Sequence, residues 1–439
     1  MWSLASFICA CLVGSLRRIN GCVKPAVIAV LLLLVAGSLV AASENQQSAP
    51  IYVILWFDTE DYLLPADDDA SKRLAQMLSE RKVRATFKIV GAAKYFVAVQ
   101  TPSDLQQALA FRSTERLEIF VLGGGSNILV SDIGFDGLVV HPVQPGIAIV
   151  SEDAEAVIVR VQAAEIWDRV VACAVEHGWW GIENLSHIPG QAGAALVQNI
   201  GAYGQQISDV LLSAEVMEIE SGDSTTLKSA DCGLGYRRSN FNTSRKGQLV
   251  ILEFTLRLVK SGQPNLEYPD VREYFEKREV RQPALAQIRQ AIIAIRDRKF
   301  PFPREERGGN AGSFFKNLVL SPTEYETLEA NLARNLGLPA ARKLLDLKKK
   351  FGTRGSTKVP TAFLMEACGL KGYRLGGAKV NERQPLVLLN EGGATATDVL
   401  NLARHIRRTI YSKTGMAISL EPELVGFSQA EIAHYLSLE

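Results

Sequence analysis

Histidine and cysteine are scarce in this chain, five and six among 439 residues. His141, His177, His187, His405 and His434 include no pair a helical turn apart, so no two-imidazole metal site is available. Cys9, Cys11 and Cys22 sit near the start and Cys173, Cys232 and Cys368 lie far apart, which gives neither metal-ligand spacing nor a dense disulfide framework. The body of the chain therefore reads as a reduced, cytosolic protein that holds no metal. An excess of one charge is also lacking: 48 Lys and Arg stand against 47 Asp and Glu, too even to gather nucleic acid or an anionic membrane by field alone. Hydrophobic residues make up 47% and charged residues 22%, ordinary globular usage, and the length suits two to four domains of roughly 100–200 residues.

One long apolar run is present. Arg17, Arg18 and Lys24 precede PAVIAVLLLLVAGSLVAA, and small residues such as Ala42 stand before a polar stretch, so residues 1–42 form an export signal or a membrane anchor. The run falls slightly short of the about 20 residues of a stable span, which favours cleavage over anchoring. From Ile51, IYVILWFDTEDY is a buried-strand pattern ending in acids, followed by an amphipathic helix through Leu74, Met77 and Leu78 and a second strand over 83–90. This βαβ unit resembles the opening of polysaccharide-deacetylase-like domains, whose first strand ends in paired acids, here Asp58, Glu60 and Asp61. The resemblance ends near Gly91, and the histidine pair its metal would need is absent. Residues 51–91 thus read as a truncated fragment with solvated acids.

A second protein begins near Lys94. A strand over 95–99 leads into a helix opened by Thr101-Pro102-Ser103, with Leu105 and Leu109 on its apolar face. LEIFVLGGGSNILV then runs a buried strand directly into Gly123, Gly124, Gly125, Ser126 and Asn127. Such a loop is either a tight turn or a nest of N–H groups for a phosphate; Ile128 breaks the dinucleotide fingerprint, so a nicotinamide-type Rossmann crossover is excluded. GIENLSHIPGQAGAALVQNIGAYG, residues 181–204, has almost no large side chains and implies backbone packed closely against something flat or extended.

With GYRRSNF, GNAGSFFKN, GLKGYRLGGAKV and LEPELVGF in the same order, the chain from about residue 95 to 427 resembles the UDP-N-acetylenolpyruvoylglucosamine reductase family of flavoenzymes. The resemblance implies an α/β (α+β) architecture: a two-subdomain FAD-binding fold of the vanillyl-alcohol-oxidase (PCMH) type over 94–262, a connecting segment with a substrate tyrosine loop over 263–309, and a C-terminal α/β substrate-binding domain over 310–427. It implies tightly bound FAD held by Gly123, Gly124, Gly125, Ser126 and Asn127 and by Pro189, Gly190, Gly193, Asn199, Gly201, Ala202, Tyr203 and Gly204. NADPH is the implied cosubstrate and the enolpyruvyl ether of UDP-N-acetylglucosamine the substrate, within peptidoglycan synthesis.

Reducing such an ether needs a hydride, stabilisation of the charge that forms beside the carboxylate, and a proton for the other carbon. The resemblance gives the proton to Ser313, and the charge stabilisation to Arg237 with Glu423, leaving Glu421 structural. It assigns Tyr236, Tyr268, Lys299, Asn317 and Gln384 to the nucleotide sugar, where a lysine neutralises phosphate and a tyrosine closes over the nucleotide.

Two departures from the family pattern stand out. Its opening strand is either missing or supplied by residues 83–90, and Val425 replaces a frequent arginine. The basic stretch over 343–358 reads as a solvated helix end and loop in preference to a site for the phosphates of NADPH, and 397–415 as an amphipathic scaffold helix with Gly415 past its end. The sequence leaves open a flavin oxidase of the same fold with another substrate, and a non-catalytic, envelope-attached binding protein. Both cosubstrates are cytosolic, in conflict with an export-type leader. The enzymatic part is expected to be a cytoplasmic monomer that meets a membrane only through that leader.

Overall fold

The computed structural model describes residues 82–84, 87–300, 308–352 and 355–438. The apolar leader and the acids Asp58, Glu60 and Asp61 lie outside them.

A four-stranded sheet opens the fold, in the spatial order Lys82–Arg84, Val90–Val99, Phe135–Pro142, Glu118–Val121. The last three strands run parallel, and the helix Pro102–Glu115 between the second and the fourth is their crossover. Thr101 and Asp104 cap that helix reciprocally. Leu105, Ala108 and Leu109 turn inward at helical spacing, against Val99, Leu138 and Val140 of the sheet.

An antiparallel five-stranded sheet follows, ordered Ser224–Lys228, Leu211–Glu218, Leu249–Val259, Ala156–Gln162, Ile147–Glu152. Its apolar face meets the helix Trp167–Glu176, whose Trp167, Val170, Val171 and Ala174 recur on one side and are all buried. The connecting helix Leu285–Lys299 buries Leu285, Ile288, Ala291, Ile292 and Ile295 in the same manner.

In the C-terminal part, three helices, Pro322–Leu336, Leu338–Phe351 and Ala396–Thr414, pack with small sheets around one core. The helix read from the sequence over 397–415 is Ala396–Thr414, ended by Gly415 at φ 72°. Its first turn is held from outside: Asp132, beside the first sheet, accepts from the Ala396 N–H at 2.7 Å and the Thr397 N–H at 3.1 Å. Strand Glu423–Val425 pairs in parallel with Ile128–Val130, directly after the glycine loop.

The boundary expected near Lys94 falls inside a strand. One strand, Val90–Val99, runs through both its sides, and Lys82–Arg84 pairs with it, so no strand spans 83–90. Phe87 and Ile89 are buried in the same core as Phe314, Leu386 and Leu388, and the Asn390 amide donates to the Phe87 carbonyl at 3.0 Å. Burying one Phe contributes roughly 1.5–3 kcal/mol, so these residues stabilise the fold they were expected to precede. Val425 is likewise core, 4% exposed and opposite Val130, a place that cannot take an unpaired charge.

Candidate functional site

A cavity of about 990 Å³ lies among the first sheet, the 181–204 segment and the C-terminal part. Its walls follow from local chain chemistry. After the strand Glu118–Val121 the chain turns through Gly125, at φ 64°, and re-enters a strand at Ile128. Gly124 and Gly190 do not line the cavity: they face one another, and a Cβ on Gly124 would stand 2.9 Å from the Gly190 Cα. Gly190, at φ 110°, also leaves room for Ser126, whose hydroxyl donates to the Pro189 carbonyl at 3.2 Å. These two glycines let the two loops lock together.

The rest of the expected cofactor set does line the cavity: Gly123, Gly125, Ser126, Asn127, Pro189, Gly193, Asn199, Gly201, Ala202, Tyr203 and Gly204. Asn199, in left-handed backbone at φ 40°, sends its amide to the Gly235 carbonyl at 2.8 Å and so ties this segment to the turn that carries Arg237. Burial pushes the Tyr203 phenol up to about 12, and its hydroxyl pairs with Arg296, whose own guanidinium is lowered by burial.

Arg237, Ser313 and Glu423, from three separate stretches, line this same cavity. Arg237 lies in left-handed backbone at φ 52°, in a turn closed by mutual bonds between Gly235 and Arg238. Its Nε lies 2.8 Å from Glu421, while Glu423 pairs with Lys246 at 2.7 Å. Glu421 was read as a bland neighbour, yet it too faces the cavity. Burial pushes its carboxyl above the ordinary carboxylate range, which Arg237, Lys316 and Lys358 offset only in part.

The expected substrate residues Tyr236, Tyr268, Lys299, Asn317 and Gln384 are all in the wall. Tyr268 meets the Tyr203 ring edge-on at 5.2 Å and Phe351 at 6.3 Å. Burial, with Asp270 beside it, pushes its phenol up to about 12. Lys299 is paired with Asp270 at 2.5 Å. Asn317 accepts from the Thr361 N–H at 3.1 Å and bonds Tyr236.

The wall suits a flavin dinucleotide. It combines apolar side chains, Ile119, Val121, Ala195, Val197, Leu249 and Val250, with the cations Arg237, Lys246, Arg296, Lys299 and Lys358. Gly312, next to Ser313, has φ 72° and open space where a Cβ would stand, a cradle that any side chain would fill.

Residues 303–425 match the family model for the UDP-N-acetylenolpyruvoylglucosamine reductase C-terminal domain, and 93–228 match an FAD binding domain. UDP-N-acetylenolpyruvoylglucosamine reductase of Flavobacterium johnsoniae is 36% identical over 77% of this chain and 96% of its own length. That of Ralstonia nicotianae is 38% identical over 77% and 96%. The chain belongs to the UDP-N-acetylenolpyruvoylglucosamine reductase family. The crystal structure of the family member from Thermus caldophilus shares the fold, with a TM-score of 0.52 at 22% identity over 79% of this chain and 98% of that one.

The FAD-binding match carries both glycine segments, and the C-terminal match carries Ser313, Asn317, Gln384 and Glu423. Among the charged residues of the wall, Lys246 and Arg296 have no place in the sequence reading, and Lys358 and Glu421 have only a bland one. Lys358 belongs to the basic stretch taken for a solvated loop. Its ammonium instead sits 4.6 Å from the Tyr236 ring centre, and burial lowers its pKa. The placement of Arg296 three residues before Lys299, nearly one helical turn, was the available signal for it.

Proposed function

We propose that this chain reduces the enolpyruvyl ether of UDP-N-acetylglucosamine to UDP-N-acetylmuramate, with NADPH as reductant and FAD as resident cofactor, in peptidoglycan synthesis. The observation that carries this reading is the joint presence of Ser313, Arg237 and Glu423 in one cavity walled by the two glycine segments.

Bound FAD supplies a hydride, drawn from NADPH, for the terminal carbon of the enolpyruvyl group. The chain's own groups manage what that addition leaves behind. Negative charge grows on the carbon next to the substrate carboxylate and spreads into its oxygens. The Arg237 guanidinium, protonated at any working pH, faces that charge without solvent reorganisation. The Ser313 hydroxyl then delivers a proton to the same carbon, and the Gly312 gap gives the substrate room to approach it. Glu423, charge-balanced by Lys246, completes the polar surround.

Lys299 neutralises diphosphate charge once it leaves Asp270, and Asn317 and Gln384 bond the nucleotide sugar. Tyr236 and Tyr268 close over it, and the high phenol pKa of Tyr268 keeps that group a neutral donor.

FAD falls to 94–262 with the strand beginning at Val90, the tyrosine segment to 263–309 and substrate cover to 310–427. Every named group comes from one chain, so we place the reaction in a monomer. Nucleotide sugar and NADPH are cytosolic, so we place it in the cytoplasm. Among the described residues no helix is long and apolar enough to cross a membrane. The test is optical: purified protein is yellow, bleaches with NADPH and recolours with the enolpyruvyl sugar nucleotide. Bleaching without recolouring indicates a flavin oxidoreductase with another substrate, and a colourless protein indicates a binding role.

A further inference from the structure

Glu421 faces the cavity but has no part in the reaction as proposed. Its side chain is 12% exposed, and its Oε1 meets the Arg237 Nε at 2.8 Å. Its main chain is equally engaged. The N–H donates to the Phe314 carbonyl at 2.9 Å, one residue from Ser313. The carbonyl accepts from the Asn127 amide at 3.1 Å, at the end of the glycine loop. The proton-donor loop, the cofactor loop and the charge-stabilising arginine therefore meet at one residue.

Arg237 needs such a partner. Its backbone is held in a left-handed turn, but an arginine side chain retains several free torsions unless something fixes its far end. The ion pair meets the guanidinium on its Nε side, near the stem, and leaves the outer nitrogens to face a substrate. Lys316 and Lys358 lie close enough to act on the same carboxylate, so removing its charge would also leave the cations uncompensated.

We propose that Glu421 is a positioning residue: its carboxylate fixes the Arg237 guanidinium in the geometry that charge stabilisation before proton delivery requires. It acts through Arg237 and does not touch the substrate, a role separate from that of Glu423 with Lys246. This rests on the reductase reading above.

The experiment follows reoxidation of NADPH-reduced holoenzyme by saturating enolpyruvyl sugar nucleotide in stopped flow, for the wild type, Glu421→Gln, Arg237→Ala and the double variant. Glutamine keeps the shape and removes the charge. Reoxidation is expected to slow by about 10- to 100-fold in Glu421→Gln, while flavin reduction by NADPH changes by less than about twofold. In the Arg237→Ala background the same substitution is expected to change reoxidation by less than about twofold, since no guanidinium remains to be positioned. Independent, multiplying effects of the two substitutions overturn the proposal, as does unaltered reoxidation in Glu421→Gln. Tighter sugar-nucleotide binding at an undiminished rate also overturns it, because Glu421 would then be a counter-ion that the substrate displaces. Should Glu421→Gln lose its flavin, Glu421→Asp, one methylene shorter, answers the same question. Failure of the wild type to be reoxidised at all sinks the functional reading instead, so the two failures are distinct.

Discussion

The Lys246 ammonium lies 2.7 Å from the Glu423 carboxylate, although Lys246 falls beyond the FAD-binding match over 93–228 and Glu423 near the end of the C-terminal match over 303–425. Lys246 precedes the strand Leu249–Val259, and Glu423 opens the short strand beside the glycine loop. The pair is partly open to solvent, 56% and 33% exposed, so it adds little to stability, about 0–1 kcal/mol. Its effect belongs to the site. Lys246→Met is expected to lower kcat/KM for the sugar nucleotide by about 3- to 30-fold with a melting temperature close to the wild type. A large loss of stability with full activity in the surviving fraction would contradict this.

Phe87 tests where the folded unit starts. It is fully buried and meets Phe314 edge-on at 6.0 Å. Phe87→Ala is expected to cost about 3–5 kcal/mol in urea unfolding. A cost below about 0.5 kcal/mol would mark it as a surface position, and residues 82–91 as a dispensable fragment.

Acid should weaken the tie between Asp168 and the connecting helix. Burial alone would raise the Asp168 carboxyl, but a two-pronged bond from Arg289, at 2.7 and 2.8 Å, outweighs it together with the His187 N–H, and holds the group below 3.8. A carboxyl held low in the folded state takes its proton more readily after unfolding. The stability it adds is therefore present above the unfolded value, and it is lost as pH falls through the folded one. Asp168→Asn is expected to cost about 1–3 kcal/mol at pH 7, a gap that narrows as pH falls below the unfolded carboxyl's ordinary value and closes past the folded one. A gap unchanged across that range would show that charge is not its source.

Much of this was legible because it depends on local patterns. The helix Ala396–Thr414 shows its apolar positions at Val399, Ala403, Ile406 and Ile410, and its stop at Gly415. The glycine segments show themselves through missing side chains. What stayed hidden depends on distant partners. Nothing near Gly124 or Gly190 indicates that they pack on each other, 66 positions apart. Glu421 and Glu423 flank one proline, and which of them meets Arg237 is decided by the parallel pairing of Glu423 with Ile128. Lys358 looks solvated beside so many lysines until the strand Thr357–Val359 turns it toward Tyr236. The strand Val90–Val99 is hidden in the sequence because the likeness to the deacetylase opening ends near Gly91, inside it.

The account stands on a hydroxyl at position 313 that gives up a proton after the hydride has moved. Stopped-flow absorbance of Ser313→Ala separates the two events in one instrument. NADPH is expected to bleach the flavin at the wild-type rate, while recolouring by the enolpyruvyl sugar nucleotide slows by about 10²- to 10⁴-fold. Recolouring at the wild-type rate would contradict the assignment.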